Sequence, residues 1–174
     1  MHNVLFVGFK GKNNSSGMLA EQLCSEHLLL TNSFGGLKKD IDSICKEYDY
    51  VIMFGVDKLL ASKVRIEKAA SVADEMRISG FDTDRLADSL RTNGILSMIS
   101  DKPSAYLCNE AYWHILKKFS GRAVFIHIPT IKQADERFFY RMKKGIYMHL
   151  TNGNLLCTKD SYCFLDDVAE WSIK

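Results

Sequence analysis

Hydrophobic and polar positions along the chain follow two rhythms. Short continuous apolar runs, as expected of strands buried on both faces, occur at Val4-Leu-Phe-Val7, Val51-Ile-Met-Phe54, Ile95-Leu-Ser-Met-Ile99 and Ala123-Val-Phe-Ile126. Between them lie stretches with apolar residues three and four apart, the rhythm of a half-buried helix. These are Met18 to His27, Lys38 to Tyr48 (Ile41, Ile44 and Cys45 on one face), Asp84 to Asn93 (Leu86 and Leu90 inward), and the segment from Cys108 to Phe119. Ser15 or Ser16 is the expected cap of the first helix. Turn formers punctuate the pattern at Gly8 to Gly17, Phe34-Gly-Gly-Leu37, Gly80-Phe-Asp-Thr83, Asn93-Gly94, Gly121 and Thr151-Asn-Gly-Asn154. Leu28 to Thr31 reads as a second, short strand, and Lys63 to Ala70 alternates as a half-exposed strand would. Ile131 to Tyr147 begins as a polar loop and passes into a helix; Leu155 to Lys174 reads as a strand followed by a helix over Leu165–Trp171. Strands alternating with helices predict a three-layer α/β/α sandwich with a largely parallel central sheet, whose central strands are the four apolar runs.

The length of 174 residues fits one domain spanning 1–174. Hydrophobic residues at 47% and charged residues at 25% place the chain among ordinary globular proteins. A net charge of +2 argues against a nucleic-acid or membrane surface, and no apolar run approaches the length of a membrane span. The start, Met-His-Asn-Val-Leu-Phe-Val, enters a strand pattern directly, so a cytoplasmic protein is expected. Five cysteines, an odd number without a secretion signal, argue against a disulfide framework. No Cys/His spacing resembles a zinc site. Cys24 and Cys45 read as core residues of helices, and Cys157 and Cys163 as structural. The Gly8 to Gly17 loop has neither the GxxxxGK[ST] nor the GxGxxG order of a phosphate cradle.

The chemistry concentrates at Ser104-Ala-Tyr-Leu-Cys108-Asn-Glu-Ala-Tyr-Trp-His-Ile-Leu116, where a short apolar segment ends at a cysteine and a helix pattern begins at once. A cysteine at a strand-to-helix junction gains from the helix dipole, which lowers a thiol pKa. It also gains from unpaired N–H groups that can hold an oxyanion. Nineteen residues on, His127 stands near the end of Ala123-Val-Phe-Ile-His127-Ile-Pro129. A lone cysteine or histidine in such runs is more often a buried core residue. Two of them, each at the exit of its own apolar run, point to a nucleophile–base pair, since α/β folds place sites at the carboxyl ends of strands.

At these segments the chain resembles the pyrrolidone-carboxyl peptidases, also called pyroglutamyl peptidase I. That family has a strand-final cysteine in a Tyr-Leu/Val-Cys-Asn pattern, here Tyr106-Leu-Cys108-Asn109, and a histidine in Phe-Ile-His-Val/Ile-Pro, here Phe125-Ile-His127-Ile-Pro129. Its glutamate lies in an Ile/Pro-Glu-Arg pattern with an arginine ten residues later; Ile66-Glu67-Lys68 and Arg77 reproduce that spacing. Weaker matches are Val4-Leu-Phe-Val-Gly-Phe9 and Asn14-Ser-Ser16. The resemblance covers roughly residues 1–132. It implies Cys108 as nucleophile, His127 as base and Glu67 as its orienting carboxylate, acting on an N-terminal pyroglutamyl amide through a thioacyl-enzyme. Arg77 and Asn109 would help hold the oxyanion or substrate, Phe9 would stack on the lactam ring, and Asn14 would line the site. The resemblance implies no metal and no cofactor. The partner would be a small peptide or amide substrate, with no nucleic acid and no membrane. Family members commonly form homo-oligomers.

The departures fall on the recognition loops. Lys10-Gly-Lys-Asn-Asn14 replaces the family's Pro-Phe-Gly-Gly, and Gly55-Val-Asp-Lys-Leu-Leu-Ala61 replaces Gly-Gln-Ala-Gly-Gly-Arg, losing its glutamine. A segment of about twenty residues shrinks to Ser79-Gly-Phe-Asp82, and the tail after Gln133 does not match. Three functions follow: a pyroglutamyl-type cysteine peptidase, a related cysteine hydrolase acting on another small amide, or a non-catalytic relative that binds a ligand.

Overall fold

The first element of the computed structural model, which describes residues 3–104 and 106–152, is β1 (Val4–Phe9). Every residue of β1 is buried, as its unbroken apolar run requires. It passes into α1 (Ser15–Leu23), capped by Asn14, whose side chain accepts from Ser16 N–H. β2 (His27–Leu30) and α2 (Phe34–Asp42) follow. Phe34 to Leu37, expected as a turn, is the first turn of α2, because Ser33 caps it by accepting from Gly36 N–H. α2 stops at Asp42 rather than Tyr48, and Cys45 is exposed beyond it instead of lying in a helical core. Cys24 is the C-cap of α1 and partly buried.

β3 (Tyr50–Val56) is joined by a short loop to β4 (Lys63–Glu67). The strand expected over 63–70 breaks at Lys68. Beyond it, β5 (Ala69–Val72) and β6 (Glu75–Ile78) form a separate antiparallel hairpin. Small residues make this possible: Ala70 is fully buried beneath the cysteine-bearing helix. α3 (Thr83–Thr92) follows the expected turn and is capped by Asp82, whose side chain accepts from Arg85 N–H. β7 (Leu96–Ser100), α4 (Leu107–Lys118), β8 (Ala123–Ile128) and α5 (Glu136–Asn152) complete the described chain. Thr151 and Asn152 end α5 rather than open a turn; Cys157, Cys163 and the elements expected over 155–174 lie outside the described residues.

The main sheet has the order β2-β1-β3-β8-β4-β7. All neighbours are parallel except β4 and β8, which run antiparallel. The loop between β3 and β4 is too short for a crossover, so β4 has to return in the opposite direction. Three of the expected central strands hold their place. The fourth, β7, is an edge strand with Leu96 and Met98 exposed, and β4 takes the interior position. Side chains alternate between faces. Phe6, Ile52, Phe54, Val64, Ile66, Val124 and Ile126 pack under α1, α3 and α5. Leu5, Val7, Val51, Met53, Ala123 and Phe125 pack under α2, α4 and the hairpin. Helices on both faces of a mostly parallel sheet give the expected three-layer α/β/α architecture. Among the described residues no helix is long and apolar enough to cross a membrane.

Candidate active site

Three strands bring a row of residues to the α4 face of the sheet. Gly55 of β3 is level with His127 of β8, and His127 is level with Arg65 of β4. Two positions along β4, on the same side as Arg65, stands Glu67. The carboxylate Oε1 of Glu67 lies 2.7 Å from Nδ1 of His127, and both side chains are almost wholly buried. A carboxylate oxygen and an unprotonated ring nitrogen at that distance would repel, so the network assigns a proton to Nδ1. In the neutral form of the ring, Nε2 then holds the lone pair.

Arg65 surrounds this pair. Its Nε donates to the same Glu67 oxygen at 2.7 Å, and its Nη1 donates to Asp57 Oδ2 at 2.9 Å. Nη2 approaches His127 Nδ1 at 3.2 Å. Burial works against the charge of Asp57, but the Leu59 N–H and the Arg65 guanidinium outweigh it and hold that carboxyl below its usual range. Burial likewise opposes the Arg65 charge, and the Glu67 and Asp57 carboxylates overcome it.

Cys108 is the second residue of α4. No strand leads into it among the described residues: Tyr106, exposed, is the N-cap, so the cysteine follows a loop and not the expected apolar strand. Its sulfur rests beside Gly55, where a Cβ would stand 3.3 Å from Sγ and 2.7 Å from Phe125 Cζ. Only glycine leaves that room. The thiol therefore lies on the same face as His127, over Gly55, the residue level with it. Tyr112, one turn along α4 and fully buried, fixes the helix to the sheet by donating toward the backbone oxygens of Glu67 (3.1 Å) and Ala123 (3.3 Å). The Phe125 ring packs against both Tyr112 and His127, at 5.4 and 4.3 Å between centroids.

The lowered thiol pKa expected of a helix start is not what this environment produces. Burial pushes the Cys108 thiol up to about 11. A hydrogen bond from its own backbone amide works downward, as a helix start should, but is outweighed, and Asp57 and Glu67 add to the rise. At neutral pH this environment holds the sulfur as a thiol.

The structure bonds Glu67 to His127, sets Cys108 over Gly55, the residue level with His127, and engages the other expected residues elsewhere. Arg77, on β6, lays its guanidinium 4.7 Å over the Trp113 ring and pairs with Glu75, well along α4 from the cysteine. Asn109 spends its side-chain amide on Ser71, accepting from its N–H at 3.0 Å and donating to its C=O at 2.5 Å, which pins the hairpin to α4. Phe9 is 3% exposed in the core and offers no ring face for stacking. Asn14 is occupied as the α1 cap, accepting also from Ser16 Oγ at 2.7 Å. Arg65 and Asp57 were not singled out from the sequence. Each stands two positions from a noted residue, Glu67 or Gly55, and so shares its side of the strand or of the strand's continuation, but polar residues at such spacing are common. Among the described residues no group of three or more His, Cys, Asp or Glu side chains is arranged to hold a metal ion.

No protein-family model and no curated relative matches the chain. Solved structures do. Pyrrolidone carboxyl peptidase from Thermococcus litoralis is 19% identical over 87% of this chain and 94% of its own, with a TM-score of 0.70. Pyroglutamyl peptidase I from Bacillus amyloliquefaciens is 16% identical over 86% and 95%, with a TM-score of 0.72. Pyrrolidone carboxyl peptidase from Fervidobacterium islandicum is 16% identical over 88% and 99%, with a TM-score of 0.71. At these identities the likeness is one of architecture, and it agrees with the strand order and layers described above: the chain has the pyrrolidone-carboxyl peptidase fold.

Proposed function

We propose that the protein is a cysteine peptidase of the pyroglutamyl-peptidase type, with Cys108 as nucleophile, His127 as proton carrier and Glu67 as its support. The observation that carries this reading is the buried Glu67–His127 bond of 2.7 Å set beside a thiol for which Gly55 clears space. Nε2 of His127 takes the thiol proton as sulfur attacks the amide carbonyl. The tetrahedral intermediate then expels the amine, which receives that proton, and water hydrolyses the thioester. Asn109 N–H is already given to Tyr106 C=O at 2.9 Å, so the oxyanion donors are the amides before it at the start of α4. Because burial holds the resting thiol above its usual range, the thiolate forms in the encounter with substrate rather than before it.

A second reading, a cysteine hydrolase for another small acyl group, is favoured by one observation: Phe9, expected against the lactam ring, is buried in the core. One experiment separates the readings. A panel of N-acyl coumarin amides, the pyroglutamyl amide among them, is assayed with the wild type and Cys108→Ala, and iodoacetamide labelling is mapped from pH 6 to 11. The first reading expects pyroglutamyl cleavage, a loss on the order of 10³-fold in Cys108→Ala, and Cys108 labelling that climbs towards pH 11. At neutral pH, among the described cysteines, the exposed Cys45 is labelled first. Cleavage confined to a different acyl group selects the second reading. No cleavage, with Cys108 unlabelled even at the alkaline end, overturns both.

A further inference from the structure

Arg65 is the one cation among the described residues in contact with the Glu67–His127 pair, and nothing in the resemblance assigned it a role. We propose that Arg65 is a positioning residue of this site: its guanidinium bridges Glu67 and Asp57 around the Nδ1 side of His127, fixing the carboxylate that holds the imidazole proton and balancing that carboxylate's charge. The inference rests on the proposed triad, but its geometry stands independently of any substrate.

The three nitrogens of Arg65 have three different partners. Nε and Nη1 form charge-assisted bonds of 2.7 and 2.9 Å to two carboxylates on different segments, one at the end of β4 and one in the loop after β3. A planar guanidinium can serve both only with its plane fixed, so Glu67 Oε1 has little freedom. The third contact, Nη2 to Nδ1 at 3.2 Å, is no hydrogen bond once Nδ1 carries the proton donated to Glu67. It is a positive charge set beside a ring that must itself become positive when it accepts the thiol proton. Glu67 favours the imidazolium and Arg65 opposes it; Asp57 in turn offsets Arg65. The charged and titratable groups facing His127 are thus Glu67 and Arg65 from β4, Asp57 from the loop after β3, and Cys108 from α4. Arg65 sits beyond the imidazole from the thiol in the row Gly55–His127–Arg65, so it acts through Glu67 and His127, not on the reacting atoms.

The signs of this arrangement can be tested without knowing the substrate. Nitrogen NMR of ¹⁵N-histidine-labelled protein follows the His127 ring through a pH titration in the wild type, Arg65→Gln, Arg65→Lys and Asp57→Asn. Removing the cation in Arg65→Gln should raise the His127 midpoint by about one pH unit. Removing its counter-charge in Asp57→Asn should lower it. Arg65→Lys keeps the charge but loses the fork, so its midpoint should stay near the wild type while the Nδ1–H signal broadens or shifts. With a cleaved amide in hand, the acid limb of kcat/KM should move the same way, with KM little changed. A merely structural ion pair would change melting temperature without moving the titration. Equal midpoints in wild type, Arg65→Gln and Asp57→Asn would overturn the proposal. Should Arg65→Gln fail to fold, the Asp57→Asn shift alone decides, since its sign is opposite. If the midpoints move as expected but no amide is cleaved and Cys108 resists alkylation, the clamp stands and the peptidase reading fails.

Discussion

Gly55 shows how little room the site leaves at the level of single residues. A methyl group there would meet the Phe125 ring at 2.7 and 2.8 Å and the Cys108 sulfur at 3.3 Å. Phe125 is 1% exposed and is hemmed in by Tyr112 and His127, so it cannot swing away cheaply. Gly55→Ala should therefore cost about 1–3 kcal/mol by overpacking. It should also slow Cys108 alkylation at pH 10 relative to the wild type, because the sulfur is pushed from its position. Urea melts and mapped labelling check the two effects. A variant within about 0.5 kcal/mol of wild type with unchanged labelling would mean that the close approach is not a constraint. Burial is the main reason the helix-start effect expected from the sequence does not prevail at Cys108, and the Asp57 and Glu67 charges add to the rise without touching the gap.

Elements decide whether these residues meet. α4 carries the proposed nucleophile, β8 the proposed base and β4 its support, and Tyr112 ties α4 to the sheet. Tyr112→Phe keeps the ring against Phe125 but leaves two backbone oxygens without their shared donor. The expected cost is about 1–2 kcal/mol, together with a fall in any amide hydrolysis that exceeds the fall seen for a comparably destabilising change remote from α4. α5 gives a second element-scale expectation. His149, buried and stacked on Phe81 at 5.1 Å between centroids, has its pKa pressed down by burial first and then by the Arg85 charge. Its folded pKa is below the unfolded value of about 6.5, so the unfolded chain takes up the proton first as pH falls. The stabilising contribution of neutral His149 is full above that value and is lost as pH drops through the window beneath it. His149→Phe should thus show a smaller drop in melting temperature between pH 7.5 and 5.5 than the wild type. Parallel pH dependence in the two proteins would remove His149 from the account.

At the scale of the whole molecule, the sequence disclosed the architecture through its two rhythms, and pointed to Cys108, Glu67 and His127 as candidates because each stands in a local pattern. Arg65 was hidden because its role depends on β4 running antiparallel to β8, which places Arg65 opposite His127 and leaves Glu67 diagonal to it. No local periodicity encodes that register. The same topology predicts uneven stability. β3 and β8 pair over six positions and are buried nearly throughout, whereas β4 joins β8 over three, and β7 is an exposed edge. Amides of Ile52, Phe54, Val124 and Ile126 should exchange most slowly with solvent, and the outward amides of β7 and those of the β5–β6 hairpin tip fastest. The site straddles this gradient, with His127 in the firm part and Arg65 and Glu67 on the strand that joins it to the edge. Low urea should then loosen β4 and β7 and speed Cys108 alkylation before the far-ultraviolet ellipticity falls. Coincident transitions would mean instead that β4 and β7 unfold with the core as one cooperative unit.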